Sequence, residues 1–111
     1  MAFELENRTL IFGKKVVKLC SVLPKNQINF RLCDQLVRSG TSVGANYREA
    51  NETDTGKDFK NRIRIAKKEA KETVYWLDLI LDSNPEFSKE IEELLDEAGQ
   101  LVKILASIYL K

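Results

Sequence analysis

Apolar residues recur along the chain at alternating steps of three and four positions, which is the spacing of one face of an α-helix. The most regular run lies near the end of the sequence, where it continues without a break. It consists of Phe87, Ile91, Leu94, Ala98, Leu101, Leu105 and Ile108. Similar stripes run from Leu5 to Leu23, from Ile28 to Ala50 and from Phe59 to Leu81. The pattern therefore predicts four amphipathic helices.

Residues that cap helices or prevent their continuation separate the four stripes. Pro24 ends the first stripe, and Asn26 and Thr55 are suitable N-caps for the second and third helices. Asn84 is a suitable cap for the last helix, with Pro85 in its first turn. The predicted helices cover residues 4–23, 27–52, 56–82 and 85–110. Since the connections are short, we expect an all-α, antiparallel up-down-up-down four-helix bundle that forms a single domain over residues 1–111.

Small and polar residues are concentrated in the second helix between Arg38 and Ala50. Gly40 and Gly44 each cost about 1 kcal/mol of helix propensity relative to alanine, so local preference does not explain them. Because they are four positions apart, they share one helix face. We expect this face to pack closely against Ala66 and Ala70 of the third helix.

The polar residues of the same segment predict a network between the second and third helices. If these helices form an antiparallel hairpin, positions whose numbers sum to about 108 lie opposite each other. Asn46 then faces Arg62, and Arg38 and Ser39 are expected to bond to Glu69 or Glu72. The whole network comprises Arg38, Ser39, Ser42, Asn46, Glu49, Asp58, Arg62, Glu69 and Glu72. It either fixes the register of the two helices or exposes part of the polar stripe to a partner.

The residue types present argue against catalysis and against a bound metal or cofactor. The chain has no histidine, which excludes Ser-His and Cys-His arrangements, and the segment from Gly40 to Asn46 lacks the Gly-Lys-Ser/Thr ending of a phosphate loop. Cys20 and Cys33 fit reduced cysteines that serve as small, buried apolar residues on helices. An acidic start and the lack of a long apolar run indicate a cytoplasmic protein without a membrane span.

Charge is balanced overall but not locally. The net charge is +1, which removes the simplest argument for a nucleic-acid-binding protein. The first half of the third helix nevertheless carries a basic cluster that could bind the phosphates of RNA or DNA. Its members are Lys57, Lys60, Arg64, Lys67, Lys68 and Lys71. The alternative is an ordinary solvated helix face, since no aromatic residues are interleaved with these cations for base stacking.

Three of the predicted helices carry a second set of apolar residues beside the main stripe. These are Leu10, Ile11 and Val17, then Tyr75, Trp76 and Leu79, and finally Leu95, Val102, Ile104 and Tyr109. They form either a wide core face or the interface of a homo-oligomer.

Four segments together resemble a known protein family. They are Leu23-Pro24, the run from Gln35 to Ala50, Lys57-Asp58-Phe59, and the run from Ile65 to Thr73. The most specific feature is the Arg-Ser-x-x-Ser-x-x-x-Asn run followed by Lys-Asp-Phe. The sequence thereby resembles the bacterial four-helix bundle family of 23S rRNA intervening-sequence proteins.

This resemblance implies a ring-shaped homopentamer without known catalytic activity. Members of the family are encoded within insertions in large-subunit rRNA genes or elsewhere in genomes. The family is also similar to the accessory protein of diversity-generating retroelements, which binds nucleic acid and a reverse transcriptase. We therefore expect a homo-oligomer that binds RNA through the basic cluster, with a structural adaptor for a protein partner as the alternative.

Overall fold

Four helices follow one another in the computed structural model, which describes residues 2–111. They are α1 (Ala2–Val22), α2 (Gln27–Asn51), α3 (Gly56–Ser83) and α4 (Ser88–Leu110). Each helix packs against the next one along the chain, and α4 returns to α1, with which it makes the least contact. The result is an elongated bundle of 45 × 21 × 19 Å. The predicted all-α four-helix bundle is confirmed.

The core consists mainly of the apolar stripes that the sequence pattern predicts, but Ile28, the first residue of the second stripe, is 60% exposed. Val16 of α1, Leu36 of α2, Leu77 of α3 and Leu101 of α4 are each completely buried. None of the helices over residues 2–111 combines the length and the apolar character needed to span a bilayer.

Two of the three predicted N-caps are confirmed. The side chain of Asn26 accepts a hydrogen bond of 2.8 Å from the backbone N–H of Asn29 at the start of α2. The Thr55 hydroxyl accepts one of 3.1 Å from the backbone N–H of Asp58 at the start of α3. Both bonds satisfy donors that the first turn of a helix leaves unpaired.

The prediction that Asn84 caps the last helix is wrong. Its side chain is 2% exposed and exchanges two hydrogen bonds of 2.9 Å with the amide of Asn29. Asn29 also donates to the Pro24 carbonyl oxygen, and Asn84 to that of Ile80. The Asn84 side chain makes no capping hydrogen bond, and residues 85–87 form a 3-10 turn before α4 begins.

The prediction that Gly40 and Gly44 contact Ala66 and Ala70 is also wrong. The two glycines face α1, on the other side of α2. Counting residues along an antiparallel hairpin gives the level at which a side chain lies, but not its direction. Gly40 is one residue beyond Ser39, which turns it by about 100° away from the face that meets α3.

The glycines allow α1 and α2 to approach closely. A Cβ atom at Gly40 would lie 3.0 Å from both methyl groups of Val16. One at Gly44 would lie 3.0 Å from the Thr9 hydroxyl oxygen and 3.4 Å from the Thr9 backbone carbonyl carbon. The Thr9 hydroxyl cannot easily move, because it bonds to the carbonyl oxygens of Leu5 and Glu6.

A bidentate ion pair connects α1 to α4. The Arg8 guanidinium donates to the two carboxylate oxygens of Glu97 at 2.6 and 2.8 Å, and also to Gln100 Oε1 at 2.8 Å. The hydrogen bond with Glu97 raises the pKa of Arg8. The pair holds two helices together where apolar packing between them is sparse.

We predict opposite effects for alanine at two helical glycines. Gly99→Ala should raise the free energy of unfolding by up to about 1 kcal/mol, because a Cβ there meets nothing within 4 Å. Gly44→Ala should lower it by about 1 kcal/mol, since overpacking against Thr9 outweighs the gain in helix propensity. Urea unfolding of the two variants measures the difference. Equal stabilisation by both would contradict the close contact of α1 with α2.

Candidate nucleic-acid interface

The predicted nucleic-acid-binding residues lie on one side of α3, which we call the basic face. It consists of Lys57, Lys60, Arg64, Lys67, Lys68 and Lys71. Their spacing of mainly three and four residues places them on the same helix surface, and all except the half-buried Lys67 are exposed. From the first to the last, the face extends about 21 Å along the helix at 1.5 Å per residue. A face of this length can contact several successive phosphates of one nucleic-acid strand.

None of these six cations forms an ion pair with a residue of the described chain. The ion pairs over residues 2–111 all use Arg8, Arg38 or Arg48, which belong to α1 and α2. Arg64 donates a hydrogen bond to Asn61 of its own helix at 3.1 Å, which leaves its charge uncompensated. The basic face is therefore available to an external anion.

A tyrosine from α4 lies on the basic face. The Nζ atoms of Lys60 and Lys67 are 5.1 and 4.9 Å from the centre of the Tyr109 ring, within the range of cation–π contacts. The ring also borders a shallow depression with Lys57, Arg64 and the acidic Asp58. Tyr109 thus supplies an aromatic surface that the sequence of α3 alone does not contain. The antiparallel pairing of α3 with α4 is the signal that could have located it.

Arg38 makes the ionic contacts between α2 and α3. Its guanidinium donates to Glu69 Oε1 at 3.2 Å and pairs with the carboxylate of Glu72. Glu72 also accepts a hydrogen bond of 3.0 Å from the Trp76 indole N–H. The arginine side chain is 46% exposed, so this cluster orients the helices at their surface and contributes little stability.

Ser39 contacts a different residue from the one expected. The Thr73 hydroxyl donates to Ser39 Oγ at 2.9 Å and also lies 2.7 Å from the carbonyl oxygen of Glu69. Both hydroxyl-bearing residues are completely buried. A glutamate side chain at this depth would be desolvated, whereas a threonine hydroxyl forms a neutral bond. Thr73 is therefore the partner of Ser39, in place of Glu69 or Glu72.

Asn46 lies opposite Arg62, as the hairpin register implies. Its side-chain oxygen accepts a hydrogen bond of 3.1 Å from the Arg62 guanidinium, and its side-chain amide donates to the Ser42 carbonyl oxygen at 2.9 Å. Arg62 is thus turned towards α2 and does not belong to the basic face. Together with the Ser39–Thr73 contact, this bond fixes how α2 and α3 are aligned along their axes.

Three residues of the expected network make no hydrogen bond between helices in the described part of the chain. The Ser42 hydroxyl donates to the Arg38 carbonyl oxygen of its own helix at 2.6 Å. Asp58 is exposed, and its backbone N–H serves the Thr55 cap. Glu49 is also exposed. Thr73 and Trp76 take part instead.

The second apolar set divides into packed and exposed members. Trp76, Leu95, Val102, Ile104 and Tyr109 are partly buried against the core. The others remain substantially exposed: Leu10, Ile11, Val17, Tyr75 and Leu79. Leu10 and Val17 border an apolar groove between α1 and α2 whose bottom is made of small residues such as Gly13 and Gly44.

The two cysteines lie on neighbouring helices, α1 and α2. Burial raises the pKa of the Cys20 thiol far above its usual range, and hydrogen bonding with Cys33 adds to the effect. Both are free thiols of intermediate exposure. Residues 2–111 contain no cluster of three or more cysteine or acidic side chains placed to share a metal ion.

Comparisons with known proteins agree with the fold and with the family resemblance of the sequence. Residues 3–107 match the model of the family described as 23S rRNA-intervening sequence protein. The chain belongs to this family. A crystal structure from Bacteroides thetaiotaomicron, described as a protein with unknown function from the S23 ribosomal protein family, is 36% identical in sequence and has a TM-score of 0.87. The alignment covers 96% of this chain and 98% of that one.

The family match confirms the resemblance found in the sequence. No curated protein matches the chain. The similar crystal structure carries no functional description, and the name of the family refers to the 23S rRNA. Neither comparison indicates an enzymatic activity.

We predict that Ser39 and Thr73 are energetically coupled. Thr73→Val should destabilise the bundle by about 1 kcal/mol, since it removes a hydroxyl from a buried pair. The double variant with Ser39→Ala should lose less than the sum of the single changes. Urea unfolding measures all three. Thr41→Val is the control, because the exposed Thr41 hydroxyl bonds only within α2; strict additivity would argue against the pair.

Proposed function

We propose that the protein is a non-catalytic, cytoplasmic RNA-binding protein that binds phosphate groups through the basic face of α3. The observation that carries the proposal is that the six cations of the basic face form no ion pair within the described chain, while two of them, Lys60 and Lys67, lie over the Tyr109 ring. Cations that neutralise phosphates release counterions, and aromatic rings provide surfaces for base stacking. The family description, which names the 23S rRNA, supports RNA as the nucleic acid.

The distribution of charge restricts this binding to one part of the surface. The first half of α4 and the turn before it are acidic, with Glu86, Glu90, Glu92, Glu93, Asp96 and Glu97. Because α3 and α4 are antiparallel, these residues lie towards the end of the bundle opposite the basic face. A polyanion would be repelled there and attracted to the first half of α3.

Reversing the charge of three lysines on the basic face tests the proposal. Replacing Lys67, Lys68 and Lys71 with glutamate should weaken RNA binding strongly. If each lysine contacts one phosphate, the slope of log affinity against log salt concentration should fall by about 2 for single-stranded RNA. Fluorescence anisotropy at several salt concentrations measures both quantities.

The matched control makes the same charge change on another helix. Lys14, Lys15 and Lys18 are exposed on α1, and their replacement with glutamate should leave most of the affinity intact. Unchanged affinity of the α3 variant would reject the basic face as the binding site. An equal loss of affinity in both variants would show that the net charge of the protein, and not the basic face, determines binding.

We further propose that copies of the chain associate, with the homopentamer implied by the family resemblance as the expected assembly. Two separate apolar surfaces support this. One is the groove beside Leu10 and Val17, and the other is the exposed pair Tyr75 and Leu79 on α3. A ring requires two different surfaces that meet head to tail. Association would also multiply a modest RNA affinity through avidity.

The same exposed surfaces favour an adaptor that binds a protein partner as the second candidate function. An adaptor would retain its partner after nuclease treatment of the purified complex. An RNA-binding oligomer would instead release RNA and retain only copies of itself. Native mass spectrometry before and after nuclease treatment distinguishes these outcomes.

We expect Leu10→Glu and Leu79→Glu each to shift the assembly towards monomers, since each places a charge in one of the two apolar surfaces. Native mass spectrometry counts the subunits. Leu110→Glu is the control, because Leu110 is 81% exposed at the end of α4. If the oligomer persists in both test variants, neither apolar surface forms the interface.

A further inference from the structure

An open groove of about 1000 Å³ lies at one end of the bundle, between the start of α1, the end of α4 and the connection from α2 to α3. We call it the end groove. Apolar and aromatic side chains form most of its wall, including Leu5, Tyr47, Phe59, Ile104 and Ile108. It exists because α1 and α4 make the least contact of any neighbouring helices. Its size lies at the upper end of the range for ligand sites.

The wall contains a largely buried tyrosine, Tyr47, whose hydroxyl has no partner in the described chain. The Tyr47 side chain is 4% exposed, and no hydrogen bond joins its hydroxyl to another described residue. Every fully enclosed side-chain oxygen and nitrogen in the described chain has a partner. The Tyr47 hydroxyl therefore reaches the open space of the groove, where a ligand can bond to it.

The rim of the end groove is mainly cationic and continuous with the basic face. Lys60 belongs to both, since it lines the groove and also contacts the Tyr109 ring. Lys103 of α4 adds a second exposed cation, while Glu4 is the acidic residue of the rim. An occupant held against the aromatic wall would thus carry its negative charge towards the basic face.

We infer that the end groove receives one unstacked nucleobase of a single-stranded RNA whose phosphates lie on the basic face. A nucleobase combines flat apolar faces, which Phe59 can contact, with a polar edge, which the Tyr47 hydroxyl can bond. Single-stranded RNA can turn a base outward, whereas a duplex keeps its bases paired and stacked. The inference rests on the proposed function and adds to it a preference for single-stranded RNA over duplex RNA.

Photo-crosslinking tests the position of the base directly. A single-stranded RNA carrying 5-iodouracil is bound to the full chain and irradiated, and the crosslinked peptides are identified by mass spectrometry. Crosslinks to Tyr47 or Phe59 are the expected result. Crosslinks confined to Tyr109 would overturn the end groove while leaving the basic face as an RNA site. Absence of RNA binding altogether would overturn both proposals.

Two substitutions test the groove by affinity. Ser107 is exposed on α4 and lines the groove, so Ser107→Leu should fill part of it and lower the affinity for single-stranded RNA about tenfold. Tyr47→Phe removes only the free hydroxyl and should lower the affinity for single-stranded RNA about fivefold. Neither change should alter binding of a duplex of equal length, because a duplex presents only its phosphates to the basic face.

The control variant and an assembly measurement complete the test. Ser21→Leu adds the same bulk at an exposed position towards the other end of the bundle and should leave RNA affinity unchanged. Circular dichroism verifies that all variants are folded. If Ser107→Leu disperses the oligomer and leaves RNA affinity intact, the groove belongs to a contact between copies, and the inference is overturned.

Discussion

The approach of α1 to α2 at Gly40 and Gly44 is the constraint on which the arrangement of the bundle depends. The distance between packed helices follows the size of the side chains at their contact, and these positions have none. Val16 and Thr9 consequently sit directly against the α2 backbone. α1 has less contact with α4 than with α2, and the Arg8–Glu97 pair joins α1 to α4. The end groove lies where that contact is missing.

The pairing of α2 with α3 has a different physical basis. A buried hydroxyl pair, a cross-helix amide–guanidinium bond and a surface arginine with two carboxylates fix its register. These bonds occupy the acidic residues Glu69 and Glu72 on one side of α3. The basic face lies on another side of α3, and its lysines form no ion pair within the described chain.

The sequence predicts best those features that depend on neighbours along the chain. The helix boundaries and the caps at Asn26 and Thr55 follow from local spacing and hydrogen-bonding capacity. The opposition of Asn46 and Arg62 follows from equal rise in an antiparallel pair. The direction in which a residue points around its helix axis cannot be derived in this way. Gly40 and Gly44 show this, because they face α1 and not α3.

Contacts between distant segments account for the remaining differences. Nothing in the residues around Asn84 indicates that its amide will pair with that of Asn29, because the two are 55 positions apart. Tyr109 likewise lies far along the chain from the basic cluster, so the residues of α3 do not indicate that its ring lies there. The candidate site thus combines a cluster that is visible in the sequence with an aromatic ring that only the folded chain brings there.

The reciprocal amide pair of Asn29 and Asn84 makes the two ends of the bundle unequal. It joins the start of α2 to the end of α3, and its bonds to the Pro24 and Ile80 carbonyl oxygens tie in the preceding connection as well. At the opposite end, Asn51 of α2 donates a hydrogen bond of 2.8 Å to Glu6 of α1, and the end groove separates α1 from α4. Local opening is easiest where buried contacts are fewest. We therefore expect the end with the groove to open more readily than the end joined by the amide pair, so that an occupant of the groove would bind to the more adaptable part of the protein.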